Sequence, residues 1–153
     1  MDYITLNNGV KMPQLGYGVY QTPTEETESC VLTAIKNGYR SIDTAQAYGN
    51  EEGVGQAIVK CGLPREELFI TTKIWISNAG YEKAKASIEE SLKKLKTDYV
   101  DLLLIHQHLA IITEHTVQWR KPIKQARHVQ SAFQTSIRIV ISILHISQKL
   151  FLR

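Results

Sequence analysis

Four side chains able to move a proton stand out: Asp43, Lys73 and His106 at near-regular intervals, and Tyr48 five residues after Asp43. Asp43, Lys73 and His106 each close a run of β-forming residues, and lie 30 and 33 residues apart, about one strand–helix unit each. A phenol is a poor acid near neutrality, because its ordinary pKa is about 10. An ammonium beside it favours the phenolate. A carboxylate paired to that ammonium keeps it charged and fixed, and an imidazole facing the same point orients and polarises a substrate oxygen. Such a set suits proton donation to a carbonyl. The hydride must come from a cofactor, since no side chain can supply one. Singly, each residue has a structural explanation: Asp43 as a helix cap, Lys73 as a solvated charge, His106 as a structural ring, Tyr48 as a packed aromatic. All four at one end of successive units is a much rarer coincidence.

The elements that must position them alternate strictly. ITLNNGVKMP reads as a hairpin around Asn8-Gly9, a strong turn dipeptide. QLGYG is a short strand, and Thr24 starts a helix with acids in its first turn and Gly38 at its end. YRSIDTA is the next strand, and Glu51 to Lys60 is a helix closed by Gly62. LFITTKIW is rich in β-branched and aromatic residues. YEKAKASIEESLKKLK places Ala84, Ile88, Leu92 and Leu95 on one helical face. YVDLLLIHQ is a near-continuous apolar strand, as expected where both faces are covered. Hairpin followed by β-α-β-α-β-α-β means a parallel sheet, doubly wound or closed into a barrel. Chemistry at the C-terminal ends of several strands favours the barrel. The dinucleotide fingerprint is weak here, because Gly16-Tyr17-Gly18 lacks the third glycine and opens into no helix.

The net charge of +3 joins two unlike segments. Residues 1–107 carry −3, whereas 108–153 carry +6 and contain no Gly, Asn, Asp or Tyr. A folded segment of that length needs such residues for its turns. Cys30 and Cys61 form neither a disulfide framework nor a zinc motif. No signal peptide and no apolar run of spanning length is seen, so a cytoplasmic location is expected.

Four stretches, LNNGVKMPQLGYGVYQ, GYRSIDTAQAYGNEEGVGQAI, REELFITTKIW and SLKKLKTDYVDLLLIHQ, resemble the aldo-keto reductase family, in its bacterial and plant branch similar to diketogluconate reductases. The resemblance covers residues 1–107. It implies the N-terminal half of a (β/α)8 barrel with an N-terminal hairpin, and NADPH-dependent reduction of an aldehyde or ketone. It implies Tyr48 as general acid, Lys73 and Asp43 as its tuning pair, and His106 as the group orienting the carbonyl. It also implies Gly18, Val19 and Asp43 at the nicotinamide end of the cofactor, and Tyr20, Trp75 and His106 around the substrate. The expected partner is a small carbonyl compound, with no metal, nucleic acid or membrane, and the family is usually monomeric.

After Gln107 the resemblance stops. The family continues with a proline, a helix and a strand ending in a V-S-N-F type motif. Residues 108–153 read instead as the same gene translated one base out of frame. Synonymous codons exist for residues 133–140 that, read one base back, give V-S-N-F-Y-P-D-R. Residues 108–122 likewise restore to P-F-G-D-Y-Y-G-A-Y-R-A-M-E-E-A. The tail is therefore expected to be irregular or loosely helical and no true domain. Its scattered histidines and its basic cluster (Arg120, Lys121, Lys124, Arg127) then need no metal, nucleic-acid or membrane role. A half barrel exposes residues 99–105 as an apolar edge, so this chain alone is expected to aggregate and reduce little. The alternative function is an inactive, pseudogene-like product.

Overall fold

The computed structural model describes residues 1–106 apart from 7, 79 and 80. The expected tail at 108–153 lies outside the described residues.

The chain opens with a hairpin, β1 (Tyr3–Thr5) and β2 (Lys11–Pro13), paired antiparallel with Ile4 opposite Met12. Asn8 Oδ1 accepts from the Val10 amide at 3.1 Å, and Gly9 takes φ +86°, which suits glycine. There follow β3 (Gly16–Gly18), α1 (Thr24–Lys36), β4 (Ser41–Asp43), α2 (Glu51–Lys60), β5 (Phe69–Trp75), α3 (Tyr81–Leu95) and β6 (Leu102–His106). Three 3-10 turns that the sequence did not announce lie at Gln46–Tyr48, Arg65–Glu67 and Ile76–Asn78. The last strand is shorter than expected. It begins at Leu102, and Asp101 instead accepts from the Ile70 amide and the Arg65 guanidinium through its carboxylate.

The sheet is parallel, in the order β3-β4-β5-β6. A doubly wound sheet reverses its strand order at a switch point. Among the described residues no reversal occurs, and successive strands stay neighbours as in a barrel. The helices cover one face of the sheet. Val31, Ile35, Ile42, Val54, Ile58, Ile70, Ile74, Ile88, Leu95 and Leu103 form this shared core. Each such side chain, fully buried, stabilises by about 1.5–3 kcal/mol. A smaller cluster of Phe69 and Leu102 with Leu6, Val10, Met12 and Leu104 packs the hairpin against the starts of β5 and β6. The hairpin therefore closes the end of the sheet opposite the candidate site.

Two glycines inside α2 set how closely the helices approach. A Cβ on Gly53 would lie 2.8 Å from Thr27 Cβ of α1, and one on Gly55 would lie 2.9 Å from Leu95 Cα of α3. Glycine costs a helix interior about 1 kcal/mol relative to alanine. The close packing of α2 against both neighbours explains its presence.

Candidate active site

Parallel register brings the four residues to one end of the sheet. Gly18 is opposite Asp43, Asp43 opposite Thr71, Lys73 opposite Leu104, and Trp75 opposite His106. Asp43 and His106 end their strands as expected, but β5 runs two residues past Lys73 to Trp75. Side chains alternate along a strand, so Thr71, Lys73 and Trp75 share one face. Lys73 therefore reaches its partners from within the strand.

Lys73 Nζ makes three hydrogen bonds. It donates to Asp43 Oδ1 at 2.5 Å, to the Thr44 carbonyl at 2.9 Å and to the Tyr48 hydroxyl at 3.1 Å. An ammonium has three protons, so its donor capacity is fully used in one fixed geometry. The lysine side chain is 14% exposed and the aspartate 42%. The carboxylate thus keeps water on one side while anchoring the ammonium.

Aromatic contacts complete the set. His106 meets Tyr48 edge-on at 5.6 Å between centroids and Trp75 edge-on at 5.2 Å. Tyr20 packs on Tyr48 at 5.0 Å and is otherwise exposed. Burial pushes the His106 imidazole below the ordinary histidine range. The Lys73 charge adds to this and the Asp43 charge opposes it. Burial and the Lys73 charge thus both favour the neutral ring. Its Nδ1 is buried and has no hydrogen-bond partner among the described residues.

Val19 is fully buried in the core, its amide donating to the Asp43 carbonyl at 3.0 Å. Only its backbone borders the site. Gly18 lies at the open side, where an added Cβ would meet no atom within 4 Å. The backbone there leaves open ground across from Asp43. The donor set can give a proton to a carbonyl but holds no hydride. Among the described residues no group of three metal-ligating side chains occurs, and no helix is long and apolar enough to cross a membrane.

Sequence reasoning missed the residues that hold Tyr48 in place. Asn50 is wholly buried. Its Nδ2 donates to the Val19 carbonyl at 2.8 Å, and its Oδ1 accepts from Thr44 Oγ1 at 3.0 Å. Asn50 thereby ties the loop after β3, which carries Tyr20, to the loop after β4. Gln46 makes a second tie, to β5 and α3. Both lie in the quoted stretch GYRSIDTAQAYGNEEGVGQAI, flanking Tyr48 by two residues on either side.

Comparison with known proteins agrees with this architecture. The family model described as "Aldo/keto reductase family" matches residues 8–121. Glyoxal reductase of Bacillus subtilis is 56% identical over 107 residues, covering 69% of this chain and 38% of that protein. Methylglyoxal reductase of Escherichia coli is 47% identical over 117 residues, covering 76% and 42%. The chain thus spans about two fifths of the length of these curated relatives. Among solved structures, an aldo/keto reductase from Brucella melitensis superposes with a TM-score of 0.75 at 47% identity, covering 85% of this chain and 50% of that one. An aldo-keto reductase from Bombyx mori, solved in complex with NADP, gives 0.74 at 35% identity, covering 85% and 48%. Half of a (β/α)8 barrel is what these comparisons and the described residues share, and the chain belongs to the aldo/keto reductase family.

Proposed function

We propose that residues 1–107 carry the proton-donating half of an NADPH-dependent carbonyl reductase. The observation behind this reading is the convergence of Lys73 Nζ on both Asp43 and the Tyr48 hydroxyl, with His106 against the same phenol. Tyr48 gives its proton to the carbonyl oxygen as charge builds there. Lys73, held by Asp43, stabilises the phenolate left behind. His106, being neutral, holds that oxygen with an N–H without competing as an acid. Tyr20 and Trp75 wall the substrate. NADPH would supply the hydride, with Gly18, the Val19 backbone and Asp43 at its nicotinamide end.

The names of the relatives suggest glyoxal and methylglyoxal as first substrates to try. The test follows NADPH absorbance with each compound. We propose further that residues 108–153 are out of frame and add no domain. Among the described residues β6 is paired on one side only, which favours self-association of the chain. The 153-residue chain is thus expected to turn over little. The product of a gene with one base inserted after the Gln107 codon is expected to be active. Tyr48→Phe in that product lowers turnover by about 10²–10⁴-fold, the usual worth of a positioned general acid. Unchanged turnover in Tyr48→Phe would remove the phenol from the mechanism. Robust turnover by the 153-residue chain would overturn the reading of the tail.

A further inference from the structure

Gln46 opens the 3-10 turn that ends in Tyr48, and its amide is spent on contacts far along the chain. Oε1 accepts from the Trp75 backbone amide at 3.1 Å and from Asn78 Nδ2 at 3.2 Å. Nε2 lies 2.9 Å from the Ser87 carbonyl, 2.5 Å from Ser87 Oγ and 2.9 Å from Ser91 Oγ. Two of these partners are backbone groups of opposite kind. A backbone N–H only donates and a carbonyl only accepts, so the orientation of the amide is fixed without appeal to any rotatable hydroxyl. Ser91 in turn donates to Glu51 Oε2 at 3.3 Å, and Thr72 donates to Glu51 Oε1 at 2.6 Å. One side chain thereby links the Tyr48 turn, the end of β5 and the inner face of α3.

We infer that Gln46 is a positioning residue, whose amide holds the Tyr48 turn in register with Trp75. The inference rests on the proposed reductase reading only for the significance of those two residues. The amide is needed because one end must accept from Trp75 while the other donates to Ser87. An alkyl chain does neither, and a carboxylate only accepts. A protonated carboxyl does both, so Gln46→Glu becomes a proton-controlled version of the same clamp.

The experiment uses the full 153-residue chain with Trp119→Phe, so that Trp75 is the sole indole. Acrylamide quenching of Trp75 is measured for this parent, for Gln46→Met and for Gln46→Glu, from pH 4 to 8, beside denaturation midpoints from far-UV circular dichroism. Gln46→Met is expected to raise the quenching constant about two-fold, as when a strand end opens locally. Gln46→Glu should match the parent in acid and approach Gln46→Met as pH rises through the ordinary carboxyl range near 4.3, a step added to the titrations of His106, which packs on Trp75, and of Glu51, bonded to Ser91, that parent and variants share. Equal quenching in all three at every pH overturns the inference. So does a lowered midpoint without a change at Trp75, since that marks Gln46 as generally stabilising only. NADPH oxidation by the same Gln46 variants in the frame-restored product separates the two readings. Gln46-dependent quenching in a chain restored to its frame but unable to turn over counts against the reductase reading and leaves the clamp standing. Turnover with Gln46-independent quenching does the reverse.

Discussion

Replacing Lys73 by methionine removes the ammonium while keeping an unbranched chain of similar length. Three hydrogen bonds are lost together, to Asp43, Thr44 and Tyr48. Their effect on stability is unequal. The Asp43 carboxylate is 42% exposed and regains water when the lysine leaves, so its loss costs about 1 kcal/mol or less. The Tyr48 hydroxyl is half-buried and can turn to another partner. The Thr44 carbonyl belongs to a fully buried residue, and leaving it unpaired costs about 1–3 kcal/mol. Against these stands the relief of an ammonium held at 14% exposure, whose desolvation no longer has to be offset. The net is a loss of about 1–2 kcal/mol, an ordinary figure for one substitution. The loss in the proposed carbonyl reduction is of another order, about 10²–10⁴-fold, because the proton donor loses the cation that would face the charge left after transfer. Urea denaturation followed by circular dichroism gives the first number, and NADPH oxidation by the frame-restored product gives the second. A stability loss above about 4 kcal/mol with modest loss of turnover would show that the trio is a structural strut, and the chemical argument would fail.

Gly55→Ala should lower stability by about 1–3 kcal/mol or more in the same denaturation assay, since its Cβ would meet the backbone of α3 near Leu95; a midpoint equal to the parent's would mean that the helices sit further apart. His106 is depressed mainly by burial, so the unfolded chain takes up its proton first. Its contribution to stability is present above about pH 6.5 and is lost as pH falls from there through the folded value. An NMR titration of the ring is expected to give a midpoint below 6.5, and one at or above 6.5 contradicts the burial. Glu51 is pushed above the ordinary carboxylate range, chiefly by burial, with Thr72 and Ser91 opposing. That stability is present below about pH 4.5 and is lost as pH rises through the folded value. Glu51→Gln should therefore gain relative to the parent between pH 5 and 8, and a loss that grows with pH across that range would show that the charge itself is wanted.

The fold was legible where a residue type has a local consequence. Asn8-Gly9 turned the hairpin, the acids after Thr24 and the glycine at 38 bounded α1, and Gly62, at φ +73°, lies just beyond α2. The convergence of the four candidate side chains was legible for a related reason. Strand ends in parallel βα units repeat at near-constant spacing, so Asp43, Lys73 and His106 show as an interval. The stretch LFITTKIW ends at Trp75, as β5 does, but β-branched and aromatic residues mark a strand without marking that Lys73, two residues inside its end, faces the mouth. What could not be read is what makes the site rigid. Asn50 and Gln46 act on backbone atoms 28 to 41 residues away through bonds such as those to Thr22, Val19, Trp75 and Ser87. A buried amide bonded to distant backbone leaves no periodicity, and its type alone suggests a turn or a cap. The phenol is thus set by two kinds of information. The chemistry proposed for it is written in spacing, whereas the bonds around its turn run through two amides whose meaning exists only once α3 and the loop after β3 have folded against it.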